Sequence, residues 1–351
     1  SKLAAREESF KRTGVANGTK YKLKPFSWET KDGKNQLDGL TVRRADGGHG
    51  YYYRAKFTKK RIVIHFTVGH IKSDIATLAS KNRHVSTALV IGRDGTVYQL
   101  FNSYYWSYHL GKNAIGTNTK TSKESIGIEI SNFGPLKKEG NSLKTAYNTT
   151  FCSLDDTEQY IKLDQPYRGY TYYAAFTDTQ YEAIINSLRY LTAEYGIPRE
   201  FVRAAIRNET TREGALLNGI VSHVNSRKDK FDIGPAFDWD RVIAGVTAET
   251  YPVSEEDLRV IELENQIATA KKALKQLEDE LLIAKEEAAD AAARNDSREA
   301  ISVADATSSE EAYDDFDETV AARSVDDSAD LGEEGDEWSD DEKAAFYTDE
   351  E

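Results

Sequence analysis

Residues 61–67 read RIVIHFT, an apolar run closed by a single histidine. Ile62, Val63 and Ile64 are β-branched, and a run of this kind predicts a buried central strand. A histidine that follows directly on such a strand stands at a rigid sheet edge, where its ring is held in place. Far downstream, residues 222–239 read SHVNSRKDKFDIGPAFDW and offer His223, with Asp232 nine residues later. Two histidines and one carboxylate are the composition of a catalytic zinc site that keeps its fourth position open. His65, His223 and Asp232 are therefore the candidate metal ligands, and the rest of the chain reads as scaffold, substrate wall or attachment around them.

The chain order supports a mixed α/β domain, a central β-sheet flanked by helices. Short strands are expected at residues 40–43 and 51–57, in a basic, glycine-rich N-terminal extension (1–60) that completes the main domain. Tyr51, Tyr52 and Tyr53 read either as a stacking surface or as an aromatic strand packed on the sheet. A helix is expected over 73–81, capped by Ser73. TALVIGRDGTVYQL (87–100) is a hairpin, with alternating strands on either side of Arg93-Asp94-Gly95. SYHLG contributes His109. SIGIEI (125–130) is a buried strand whose one charge, Glu129, is either a paired structural ion or a functional group of tuned pKa. Residues 135–175 form an insertion of undetermined structure. TDTQYEAIINSLRYLTAEYGI (177–197) is an amphipathic helix, capped by Thr177 or Asp178 and stopped at Gly196 and Pro198.

Charge is divided unevenly. Residues 301–351 hold 20 acidic and 2 basic side chains, net −18, and residues 254–300 hold 13 and 7, net −6; the total of −13 therefore leaves +11 on residues 1–253. A basic body suits a polyanionic partner or an anionic surface such as a bacterial wall. One cysteine, Cys152, excludes an intrachain disulfide framework. No apolar run approaches the roughly 18 residues of a membrane span, and SKLAAREESFKRTG lacks the apolar core of a secretory signal. The expectation is a protein made in the cytoplasm and delivered by other means. Val260, Leu263, Ile267, Ala270, Leu274, Leu277, Leu281 and Ala284 step by threes and fours, a coiled-coil seam across 254–296. It is expected to self-associate, pack on this protein or dock on a partner. Residues 297–351 read as an acidic disordered tail.

IHFT, VSTALVIGRDGTVYQL, SYHLG, SIGIEI and SHVNSRKDKFDIGPAFDW together resemble, in order and spacing, the type 2 N-acetylmuramoyl-L-alanine amidases, a zinc-dependent family that includes phage endolysins and is related to peptidoglycan recognition proteins. The resemblance spans about residues 61–244, within an expected domain of 61–250. It implies hydrolysis of the N-acetylmuramoyl-L-alanine amide of peptidoglycan, with Zn2+ on His65, His223 and Asp232. It also implies Glu129 as general base, Lys230 as oxyanion stabiliser and His109 as a substrate contact at the cleft wall. Two departures stand out: the family's Tyr or His near Thr87 is missing, and Ile233 stands where many members have Pro. Without a wall-binding repeat, the C-terminus suggests docking on a phage or injection particle. Peptidoglycan is the expected partner, with no nucleic acid and no membrane span. The alternatives are a non-catalytic peptidoglycan-binding module, or a structural or delivery component carrying the amidase as payload.

Overall fold

The structure is a computed structural model that describes residues 2–248 throughout and single positions between 259 and 288. The chain divides into two units at about Thr250, described separately below. The expected acidic tail, 297–351, lies outside the described residues.

The first unit opens with helix α1 (Lys2–Thr13), then β1 (Val15–Ala16), β2 (Thr19–Glu29), β3 (Gln36–Arg44), β4 (Arg61–Phe66), α2 (Ile71–Leu78), β5 (Leu89–Ile91), β6 (Val97–Gln99), α3 (Asn118–Lys123) and β7 (Ser125–Ile130). Next come β8 (Pro135–Glu139), β9 (Ser142–Lys144), β10 (Thr150–Ser153), β11 (Tyr160–Tyr167) and β12 (Tyr170–Ala174). Helix α4 (Asp178–Tyr195), α5 (Arg212–Ala215), β13 (Ile220–Ser222), α6 (His223–Ser226) and α7 (Trp239–Thr247) complete it.

An eight-stranded mixed sheet in the order β1-β2-β3-β6-β5-β7-β4-β13 forms the centre. β4 runs parallel to both β7 and β13, and all six of its residues are buried. Side chains alternate across a strand, and the two faces are covered differently. Ile62, Ile64, Phe66, Ile126, Ile128 and Ile130 face the large core, shared with Ile184, Leu188 and Leu191 of α4 and Val242 of α7. Val63 and Val221 face a smaller cluster with Leu110, Ala114 and Val202. The thinner side is therefore the one that carries His65, which follows Val63 by two residues.

Local signals hold where they were strong. Thr177 caps α4 through a capping box with Gln180, and Gly196 ends it at φ 63°, a left-handed conformation that glycine adopts without strain. The 87–100 hairpin forms as β5 and β6 around Arg93-Asp94-Gly95. Other expectations need correction. The helix expected over 73–81 spans Ile71–Leu78, with His70 at its N-cap. Ser73 instead sits one turn in, where its Oγ accepts from the His70 N–H (3.2 Å) and donates to the His70 carbonyl (2.8 Å). The strand expected at 51–57 is a loop with a single bridge, Tyr53 to Trp106. Its tyrosines are packing groups: Tyr51 and Tyr52 are buried and Tyr53 stacks on His84 and Trp106. α1 and the long strand β2 were not anticipated. With β3 they bind the N-terminal segment into the main sheet. The 135–175 insertion is a second, five-stranded antiparallel sheet, β10-β9-β8-β12-β11.

In the second unit, the described positions from Arg259 to Ala288 are helical. Leu263, Ile267, Leu274, Leu277, Leu281 and Leu282 are exposed there.

Candidate metal and catalytic site

Strand register assembles the site. Residue His65 of β4 pairs with Glu129 of β7, and Ile64 pairs with Ser222 of β13, so His223 stands level with His65 on the other side. Glu129, His65 and His223 thus stand in one row at the C-terminal ends of three parallel strands, His223 directly after β13. The small side chains of Ser125 and Gly127 precede Glu129 at steps of two on the same strand face. Asp232 comes from the loop after α6, where its carbonyl accepts from the Val224 N–H at 2.6 Å.

His65, His223 and Asp232 are buried and converge as a group able to hold a metal ion. Nδ1 of His65 lies 3.0 Å from Nδ1 of His223 and 3.1 Å from Oδ2 of Asp232, and His223 Nδ1 lies 3.0 Å from the same oxygen. The protons of this cluster can be assigned from its outer contacts. The Ser125 hydroxyl donates to the Thr121 carbonyl at 2.6 Å, so at 2.8 Å it accepts the Nε2–H of His109. Nδ1 of His109 is then a lone pair, and at 3.0 Å it accepts the Nε2–H of His65. His223 Nε2–H donates to the Leu110 carbonyl at 3.0 Å. Each metal-facing nitrogen, Nδ1, is left as a lone pair. Two lone-pair nitrogens and a carboxylate oxygen therefore meet with no donor among them, and that arrangement calls for a cation. The triangle's edges are close to the roughly 3.3 Å between ligand atoms of a tetrahedral site with bonds near 2.0–2.1 Å.

Burial disfavours charge on the rings of His65 and His109. Burial lowers His65 to about 4, with His223 adding to the effect, and drives His109 well below its ordinary value. Burial alone would raise Asp232; His223 and His65 lower it only where a ring proton faces the carboxylate, and a cation held by the three groups would act in the same direction.

Glu129 is raised well above its ordinary value by burial first and by the charges of Asp232 and Asp74 next, and its Oε2 accepts no hydrogen bond. Lys230, two residues before Asp232, is near enough for its charge to act on both His65 and Glu129. His109 stands behind His65 with both ring nitrogens engaged by the protein, so neither is left to hydrogen-bond a substrate. Thr87 is buried, and its methyl packs against Gly127. Two groups escaped the sequence reading. Ser125 is one; its place two residues before Gly127 and four before Glu129 was the available signal. The other is Asp74, buried in the first turn of α2 and accepting from Ser131 Oγ at 2.5 Å. No sequence pattern separates it from an ordinary exposed helix-start aspartate.

A mixed sheet with a metal-competent His–His–Asp triad and an adjoining carboxylate and lysine defines the class of a hydrolytic α/β enzyme. The family model for N-acetylmuramoyl-L-alanine amidase matches residues 56–235, more than half the chain, and the chain belongs to that family. It is an N-acetylmuramoyl-L-alanine amidase acting on peptidoglycan. No curated protein matches it in sequence. Among solved structures it is similar to the E. coli amidase AmiD, in complex with an anhydro-N-acetylmuramic acid peptide (23% identity, covering 65% of this chain and 68% of that one, TM-score 0.36). It is also similar to the amidase LysC of Clostridium intestinale (16%, 55% and 88%, 0.31) and to AmpDh3 of Pseudomonas aeruginosa (13%, 61% and 69%, 0.35).

Proposed function

We propose that this amidase is zinc-dependent, with His65, His223 and Asp232 as ligands, and that it cleaves the amide between the lactyl group of N-acetylmuramic acid and L-alanine. The observation that carries the reading is the meeting of Nδ1 of His65, Nδ1 of His223 and Oδ2 of Asp232 within 3.1 Å of one another. Zinc bound there supplies Lewis acidity and brings the pKa of water near 7. Glu129, raised by burial and unpartnered at Oε2, takes a proton from the attacking water and passes it to the leaving L-alanine amine. The Lys230 ammonium stabilises the oxyanion that develops on the former carbonyl, an effect of about 3 kcal/mol by analogy with single oxyanion donors. His109 and the Leu110 carbonyl fix the tautomers of the two ligand histidines.

Zinc content and product release, compared between wild type and His223→Ala, test this. About one zinc per chain and new lactyl and L-alanine termini in murein, both lost in the variant, support it. Cleavage by a protein stripped of all metal sinks it. A Glu129→Ala variant that still binds zinc and murein while losing turnover separates the base from the ligands.

We further infer that residues 254–351 attach the enzyme to a second copy or to a delivery particle, such as a phage or an injection device. The exposed Leu263, Ile267, Leu274, Leu277 and Leu281, all at seam positions, support this. A truncation after Tyr251 that self-associates or co-purifies with a particle as well as the full chain does would refute it.

A further inference from the structure

One turn of the inserted sheet reaches the loop that carries Lys230 and Asp232. β11 and β12 are joined by Arg168 and Gly169, at φ 50° and 82°. Positive φ at both central residues gives the tight two-residue turn whose twist matches its strands. Tyr167 and Tyr170 face each other across it. Tyr167 is fixed from two sides, its carbonyl accepting from Tyr173 Oη (2.7 Å) and its own Oη donating to the Asn208 carbonyl (3.3 Å).

This tip meets residues 228–234 at three points. The Arg168 guanidinium donates to the Lys228 carbonyl and lies over the Phe231 ring, 5.8 Å from its centre. Nε of the same arginine donates to Tyr167 Oη at 3.1 Å. Tyr170 meets the Phe231 ring edge-on at 5.9 Å. Tyr167 packs so closely on Gly234 that a Cβ there would stand 3.1 Å from its ring. The contacts at 228, 231 and 234 bracket Lys230 and Asp232. From the sheet side, the loop's own backbone bonds include Val224 N–H to Asp232 and Lys230 N–H to Arg227 (3.4 Å).

We propose that the β11–β12 turn is a clamp that sets the positions of Lys230 and Asp232, with Arg168 as its main positioning residue. The proposal rests on the zinc-amidase reading above. It also assigns a role to the insertion, whose turn restrains the loop from outside the main sheet. Arg168 touches neither the ligand triad nor the reacting atoms, so its effect is exerted through the loop.

The test uses the full chain with Arg168→Ala, Arg168→Lys and Lys162→Ala, the last an exposed residue of the same hairpin. Zinc affinity is measured by chelator competition, kcat and KM on a soluble muropeptide, and amide exchange across 228–234. Arg168→Ala is expected to weaken zinc binding about 10-fold, at the lower end for groups that support metal ligands. It should lower kcat with little change in KM and speed exchange in the loop. Arg168→Lys, which retains a donor for the Lys228 carbonyl, should recover part of the loss, and Lys162→Ala should match wild type. Arg168→Ala with wild-type zinc affinity, kcat and loop exchange overturns the clamp. If that variant fails to fold, Tyr170→Leu, which removes the edge contact to Phe231, is read by the same criteria. Wild type that neither binds zinc nor cleaves the muropeptide overturns the zinc-amidase reading instead, and loop exchange then decides the clamp alone.

Discussion

His109 shows how much of this site lies one step behind the chemistry. Its ring fits because residue 127 is glycine: a Cβ there would stand 2.7 Å from the Thr87 methyl and 3.2 Å from the His109 ring. His109→Phe keeps the shape but removes the acceptor for His65 Nε2–H, so zinc affinity should fall about 10- to 100-fold, read by chelator competition. His109→Gln, whose Oε1 can accept the same proton, should lose less. Asp74 supplies a pH prediction. Burial raises it to about 7, against an ordinary value of 3.8, while hydrogen bonds from Ser131 and Ser73 act in the opposite direction. A carboxyl raised in the folded state contributes stability fully below the unfolded pKa and loses it as pH climbs through the folded one. Wild type should therefore lose Tm between about pH 4 and pH 7 more steeply than Asp74→Asn, as followed by thermal melts across that range. Equal slopes would mean that Asp74 is not buried as described.

Elements hold the site by docking on one another rather than by their own propensities. α1 is the clearest case. Its buried Glu7 accepts from the Arg93 N–H (2.6 Å) and the Asp94 N–H (3.0 Å), closing the turn of the β5–β6 hairpin. Lys11 of the same helix pairs with Asp94 at 2.5 Å. Glu7→Ala leaves two N–H groups at that turn without their acceptor, a loss of about 1–3 kcal/mol. Urea unfolding should show a lower midpoint at unchanged slope, with zinc affinity unaltered because the triad hangs on β4, the end of β13 and the loop after α6. An altered zinc affinity would mean that the hairpin communicates with the triad.

At the scale of the whole molecule, the basic body and acidic C-terminal part act on encounter. A net +11 on residues 1–253 is expected to favour approach to an anionic wall, an attraction that salt screens over about 8–10 Å. Murein binding of a truncation after Tyr251 should be tighter than that of the full chain at 20 mM salt, and the difference should shrink at 300 mM. Sedimentation of labelled protein with insoluble murein measures both. A salt-independent difference would assign the effect of the C-terminal part to bulk or oligomeric state instead. Among the described residues no helix is long and apolar enough to cross a membrane.

The chain's own pattern determined the strands that matter. RIVIHF and SIGIEI are apolar enough to be buried on sight, and the two-residue period already put His65 and Glu129 on definite strand faces. The cap at Thr177 and the stop at Gly196 were equally local, since each depends on residues within one turn. Tertiary structure alone decided what stands behind those residues. That His109 turns its nitrogens to His65 and Ser125, that Asp74 is buried against Ser131, and that Arg168 grips the loop of Lys230 and Asp232 all join segments 16 to 60 residues apart. A periodicity reports which face of an element is apolar. It carries no information on which distant element will cover that face, and hydrogen bonds between such elements are fixed only once the sheet has set their register.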